Sequence, residues 1–132
     1  MPRIAPPLTT QKTEFVNALL NHHSLTELKS LLGDDLYAIT EMYAQQVLGD
    51  VSRLGALLDS HDADATRQTA HAIKGSSANL GAQELARLAG LVEQGVLRNE
   101  ADQARSAFGH MDQVARQTLH AMSEGGFLRH PV

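Results

Sequence analysis

Apolar residues recur every three or four positions through most of the chain. This is the period of a helix that turns one face toward a core. The longest example begins near Asp35, and its apolar stripe consists of Leu36, Ile39, Tyr43, Val47, Val51, Leu54 and Leu58. A later stripe of the same kind consists of Ala104, Phe108, Met111, Ala115, Leu119 and Met122. The pattern therefore predicts an all-α chain with a helical core.

Polar residues and glycines divide this pattern into separate helices. We predict four long helices, over 35–58, 62–80, 82–97 and 100–123. Ahead of Gly33, one or two short helices are expected, the second capped by Ser24 with Glu27 in a capping box. Asn99 can cap the last helix. Long helices joined by short loops pack as antiparallel neighbours, so we predict an up-down-up-down four-helix bundle with short N-terminal accessory helices.

The two ends of the chain have a different composition. Residues 1–8 contain three prolines and predict a flexible linker. Residues 125–132 begin with two glycines and predict a flexible tail, which leaves 9–124 as the bundle. The composition fits helices, because Leu and Ala supply 19 and 18 residues whereas Val and Ile together supply 10.

Composition also excludes several classes of function. The chain has no cysteine, which removes disulfides, thiolate metal sites and thiol nucleophiles. Its net charge is −4 with no basic block, so a nucleic-acid surface is not expected. Its apolar runs are too short to span a membrane, and the start lacks the apolar core of a signal peptide. These exclusions leave a cytoplasmic helical domain without direct membrane contact, and we expect a monomer because a single-chain bundle is complete by itself.

One of the seven histidines, His71, lies at the centre of a polar helix face. On a helical wheel, the residues within about 60° of it are Asp64, Arg67, Gln68, Lys74, Gly75 and Ala78. Ile73 and Leu80 lie on the opposite side, toward the core. The other histidines form no metal-ligating pattern, since no His-Glu-x-x-His or Glu-x-x-His occurs. We therefore expect no metal site.

The surroundings of His71 suit a phosphoryl group. A neutral imidazole is a good nucleophile near pH 7. Lys74, and Arg67 as a second cation, lie one turn away and can stabilise phosphoryl oxygens. Gly75 leaves the approach to the ring open, at a cost of about 1 kcal/mol relative to alanine, and Ala78 keeps the next turn low. These residues indicate a histidine that receives phosphate from a bulky partner.

The segment around His71 resembles the signature of histidine-containing phosphotransfer (HPt) domains of bacterial phosphorelays. The matching positions are His71, Lys74, Gly75, Ser76, Ser77, Gly81 and Ala82, and the likeness extends over about 24–123. The resemblance implies a four-helix bundle that accepts a phosphoryl group from a receiver-domain aspartate and passes it to another. It implies no ATP site, no intrinsic kinase activity and no cofactor in this chain, with Mg²⁺ on the receiver domain.

The resemblance also assigns roles to individual residues. Family members often have Glu or Gln 22 residues after the active histidine, which here is Glu93. Its carboxylate would accept a hydrogen bond from Nδ1 of His71 and leave Nε2 as the nucleophile.

Ser76 and Ser77 are expected to pack and to bond backbone carbonyls, and Gly81 and Ala82 to form a turn. Asp64, Arg67, Gln68, Gly75 and Ala78 are candidate contacts with the receiver of a response regulator or hybrid histidine kinase.

Two other interpretations stay open, and a third is disfavoured. The chain can be the C-terminal module of a membrane-bound hybrid sensor kinase, which its proline-rich start favours. It can be a non-catalytic helical adapter, in which His71 carries no phosphate. The dimerisation domain of a histidine kinase is disfavoured, because residues 72–76 lack the Glu and Pro usual after its histidine.

Overall fold

The computed structural model describes the backbone of residues 8–129 and the side chains of residues 14–129. Within that part of the chain there are α-helices and no strands, which confirms the all-α prediction. The helices are α1 (Leu8–Leu19), α2 (His22–Leu32), α3 (Asp35–Ser60), α4 (Ala63–Asn79), α5 (Gln83–Leu97), α6 (Ala101–Phe108) and α7 (Met111–Glu124). The linker predicted over 1–8 lies outside the described residues except for Leu8, which begins α1.

The core lies between α3, α4, α5 and the last two helices. Helix α4 packs against α3 on one side and α5 on the other, and α7 contacts both α3 and α5. The largest fully buried side chains include Leu25, Leu36, Leu54, Ile73, Leu85, Met111, Leu119 and Met122. This packing holds α4 between α3 and α5 and leaves the outer face of α4 exposed to solvent.

One residue of the predicted α3 stripe faces outward. Ile39 is 44% exposed, and Thr40 is fully buried in its place. Ile39 lies about 60° from Leu36 on the helical wheel, at the edge of the stripe, whereas Thr40 lies nearer its centre. Burial of the Thr40 hydroxyl is possible because it donates a hydrogen bond of 2.8 Å to the carbonyl of Phe127.

Two helix caps differ from the prediction. Ser24 does not cap α2, because the helix begins at His22 and Asn21 is its N-cap, with Oδ1 accepting from the Ser24 backbone N–H. The Asn21 N–H also donates to the carbonyl of Gly81, at 2.8 Å, which fixes this corner to the end of α4. Asn99 has a left-handed φ of 56° after α5, and Glu100 is the N-cap of α6.

The helix predicted over 100–123 is two helices. Helix α6 ends at Phe108 and α7 begins at Met111, with Gly109 and His110 between them. Glycine favours such an interruption because it is a poor helix former. The apolar spacing continues through the break, and buried residues lie on both sides of it, so the period could not reveal it.

The flexible tail predicted over 125–132 also differs from the structure. Phe127 and Leu128 are buried in the core, with 5% and 3% of their surface exposed. The backbone of this segment is held by α3, because Tyr37 donates its hydroxyl hydrogen to the carbonyl of Gly126 at 2.9 Å. Apolar burial and the hydrogen bond from Tyr37 therefore hold residues 126–128 against the helical core. Residues 130–132 lie outside the described part.

Close packing of α5 on α6 depends on Gly95. A Cβ at this position would lie 2.9 Å from the Ala104 backbone nitrogen and 3.1 Å from the Glu100 carbonyl oxygen. We expect Gly95→Ala to destabilise the fold by about 1–3 kcal/mol, because α6 must move, despite the better helix propensity of alanine. Urea unfolding measures the change. Gly49→Ala on α3, with open space around it, is the control, and equal stability of the two variants would contradict the expectation.

Candidate functional site

Helix α4 presents His71 to solvent. The helix starts after Asp62, whose carboxylate accepts a hydrogen bond from the Ala65 N–H and caps the first turn. Its inner face is buried at Thr66, Ala70, Ile73 and Ser77. The His71 side chain lies on the outer face and is 65% exposed. The amphipathic pattern of α4 therefore produces an accessible imidazole on a rigid element.

A carboxylate from α5 bridges two side chains of α4. Oε2 of Glu93 lies 2.7 Å from Nδ1 of His71, and Oε1 of Glu93 lies 2.8 Å from Nζ of Lys74. The Glu93 side chain is only 11% exposed, whereas that of Lys74 is 41% exposed. His71 and Lys74 are one helical turn apart, so a single carboxylate can contact both.

The charge of Glu93 determines which nitrogen of the His71 imidazole carries the proton. The hydrogen bond from Lys74 lowers the pKa of Glu93 from its ordinary value, and that from His71 adds to the effect, against the opposing effect of burial. Glu93 is therefore ionised at neutral pH and can only accept hydrogen bonds. It follows that Nδ1 of His71 carries the proton. In the neutral ring, Nε2 then has a free lone pair, which is the nucleophilic form.

The space beside the imidazole is open. A Cβ at Gly75 would have no atom within 4 Å, so nothing in the described part of the chain covers this position. Ala78, one turn further along α4, is exposed and short. A partner can thus approach this face of α4 without meeting a large side chain.

The Hpt domain model matches residues 38–124, a range that contains His71, Lys74 and Glu93. The chain belongs to the Hpt domain family. An Hpt domain is a phosphotransfer intermediate in two-component signalling and interacts with receiver domains. No curated protein and no solved structure matched the chain in the other two comparisons.

Two of the predicted receiver contacts, Asp64 and Arg67, form an ion pair with each other on α4. Arg67 was expected as a second cation near His71, but its guanidinium pairs with Asp64 at 3.2 Å. This pairing follows from their spacing of three residues on α4. Gln68 is exposed on the same face. The cation in contact with the Glu93–His71 pair is Lys74.

The serines and the turn after the histidine have structural contacts. Ser76 donates to the Ile73 carbonyl at 3.3 Å, as predicted. Ser77 is buried, as expected of a packing residue, and its hydroxyl lies 2.6 Å from that of Tyr43 on α3. Burial raises the pKa of Tyr43 to about 12, so the phenol stays protonated and joins α3 to α4. Gly81 adopts a left-handed φ of 70° and Ala82 is fully buried.

Two contacts to side chains of α4 were not predicted from the sequence. Tyr43 was expected only as a core residue, and its hydroxyl partner on α4 is 34 residues away. Gly90 on α5 borders the stem of Lys74, since a Cβ there would lie 3.3 Å from Lys74 Cδ. Neither contact has a signal in a single sequence, because both depend on how two helices face each other.

The described part of the chain contains neither a candidate metal site nor a helix able to span a membrane. These residues contain no group of three or more His, Cys, Asp or Glu side chains that could hold a metal ion. None of their helices combines the length and the apolar character needed to cross a bilayer.

Proposed function

We propose that this Hpt domain carries a phosphoryl group on Nε2 of His71 between two receiver domains. It accepts the group from an aspartyl phosphate of one receiver and passes it to an aspartate of another. The observation that supports this proposal is the 2.7 Å contact between the Glu93 carboxylate and Nδ1 of an exposed histidine. In the bundle we infer, α3, α4, α5 and the α6–α7 pair run antiparallel and keep α4 rigid beneath the reacting ring.

The proposed transfer is an in-line displacement at phosphorus. The lone pair of Nε2 forms the N–P bond, while the P–O bond to the receiver aspartate breaks and its electron pair returns to that carboxylate. The proton on Nδ1 stays in its hydrogen bond to Glu93, so the ring needs no base during attack. The second transfer reverses these steps onto another aspartate. We expect Mg²⁺ to be held by the receiver, with no cofactor in this chain.

Lys74 has the role of charge stabilisation in this proposal. A transferred phosphoryl group brings about two negative charges. The Lys74 ammonium is 2.8 Å from Glu93 Oε1, one helical turn from the ring, where it screens part of this charge. Because Lys74 and His71 share the carboxylate, the same contact positions both groups.

Receiver docking is proposed on the face of α4 around the ring. The expected contacts are Asp64, Arg67, Gln68, Gly75 and Ala78. Two exposed apolar residues of α3, Ile39 and Met42, lie across a groove from α4, at 44% and 59% exposure. They border this groove, of about 230 Å³, which also contacts Ser76 and Asn79 on α4. We propose that the chain acts as a cytoplasmic monomer.

The direct test is transfer of labelled phosphate to the purified chain. The chain is incubated with phosphorylated receivers and, separately, with phosphoramidate as a small chemical donor. The proposal expects acid-labile, alkali-stable label in the peptide that contains His71. Label on another residue would overturn the assignment of His71, and no label from either source would overturn the carrier function and leave the helical adapter.

Two replacements of Glu93 distinguish its role as a hydrogen-bond acceptor for His71 from the role of its negative charge. Glu93→Ala leaves Nδ1 of His71 and the Lys74 ammonium without their partner, and we expect the transfer rate to fall about 10–100-fold. Glu93→Gln keeps an acceptor for the Nδ1 proton and should lose less. Rapid-quench transfer from one receiver measures both. Glu84→Gln on the same helix, which breaks the ion pair with Arg87, is the control. A wild-type rate for Glu93→Ala would contradict the positioning role.

A further inference from the structure

A glycine of α5 lies directly against the lysine of the site. A Cβ at Gly90 would be 3.3 Å from Lys74 Cδ and would meet no other atom within 4 Å. Gly90 is in the middle of α5 and is not among the glycines with positive φ. The backbone therefore does not require glycine there, and alanine would favour the helix.

The other glycines within helices show what is distinctive about Gly90. Gly55 faces the Phe108 ring and Gly95 faces the backbone of α6, so both serve packing between helices. Gly49 and Gly75 have open space. Among the helix glycines of the described chain, Gly90 is the one whose neighbour is a side chain of the candidate site.

We propose that Gly90 is a positioning residue for phosphotransfer, which leaves room for the stem of Lys74 to cross α5 so that its ammonium reaches Glu93. The inference rests on the proposed function, because it takes the cluster of His71, Lys74 and Glu93 as the transfer site. Glu93 lies three residues after Gly90, nearly one turn along α5. The lysine stem therefore passes the glycine at the level from which its Nζ reaches Glu93 Oε1 at 2.8 Å.

A larger side chain at position 90 should act through Lys74. It would occupy the space beside Cδ and push the stem toward solvent, where the Lys74 side chain is already 41% exposed. The bond from Lys74 is the largest cause that holds the pKa of Glu93 below its ordinary value, so its loss should raise that pKa. Glu93 stays ionised at neutral pH, but its carboxylate is no longer held between Lys74 and Nδ1 of His71, so the imidazole is positioned less firmly.

The test compares Gly90→Val with Gly49→Val. Both place a β-branched residue in a helix, but only the first meets Lys74. We expect Gly90→Val to lower the maximal transfer rate about tenfold with an unchanged KM for the receiver, and to raise the Glu93 pKa in a carboxyl-carbon NMR titration. Gly49→Val should change neither quantity. If Gly90→Val does not fold, Gly90→Ala replaces it, with a smaller rise of the same pKa.

A double-variant cycle decides whether the effect passes through the lysine. In a Lys74→Met background, Gly90→Val should cause no further loss of rate, because the group it displaces is absent. An equal loss in both backgrounds, or a wild-type Glu93 titration in Gly90→Val, would overturn the proposal. Failure of the proposed function can be told apart from failure of the Gly90 proposal. In the first case the wild-type chain takes no label on His71, while the Glu93 titration still tests the contact between Gly90 and Lys74.

Discussion

The His71→Gln variant is expected to accept no phosphoryl group from receivers or from phosphoramidate. An amide nitrogen has no available lone pair, so the loss should be at least about 10³-fold, as for removal of a nucleophile. The fold should be unaffected within about 0.5 kcal/mol, because the side chain is 65% exposed and glutamine is a good helix former. Label counting after a fixed incubation, together with urea unfolding, measures both quantities.

His120 on α7 provides a matched control. Its side chain is 70% exposed and its Nε2 lies 3.0 Å from Glu124, so it is also a solvent-facing histidine beside a glutamate. His120→Gln should keep full labelling. Retention of label in His71→Gln, or its loss in His120→Gln, would show that the phosphate is carried elsewhere. Binding of the receiver to His71→Gln should persist, because the docking face of α4 is unchanged.

The local part of the site follows from the sequence because one helix carries it. His71, Lys74 and Gly75 lie within about one turn, and helical geometry alone places them on one face. Glu93 is different, because a turn and a second helix separate it from His71, and periodicity does not fix how two helices face each other. Its position came from the family resemblance, and the structure places its carboxylate against Nδ1.

The fold, like the site, was predictable where it depends on the pattern within one helix and not where it depends on contacts between distant residues. Apolar periodicity located the long helices, because burial of one face is what holds each helix in place. It did not reveal the break at Gly109, where the stripe continues through two helices. It also missed the docking of Phe127 and Leu128, because two apolar residues after a pair of glycines have no period, and their burial depends on α2 and α3.

Phe127→Ala is expected to destabilise the protein by about 3–5 kcal/mol. The ring is 5% exposed and makes an edge-on contact with the His22 imidazole, with centroids 5.9 Å apart. Its removal leaves a cavity beneath α2 and α3, although the Phe127 carbonyl can still accept from Thr40. Small domains have stabilities of about 5–15 kcal/mol, so the loss is a large share of the total. The free energy of unfolding in urea measures it.

Phe15→Ala on α1 is the matched control. It makes the same substitution at an exposed phenylalanine and so isolates the effect of burial. Phe15 is 49% exposed, so the same truncation should cost about 1 kcal/mol or less. If Phe127→Ala also costs less than about 1 kcal/mol, residues 125–128 form the flexible tail that the sequence predicted. A large difference establishes them as part of the domain. Labelling of His71 per folded molecule should match wild type in both variants, since neither phenylalanine contacts the Glu93 cluster.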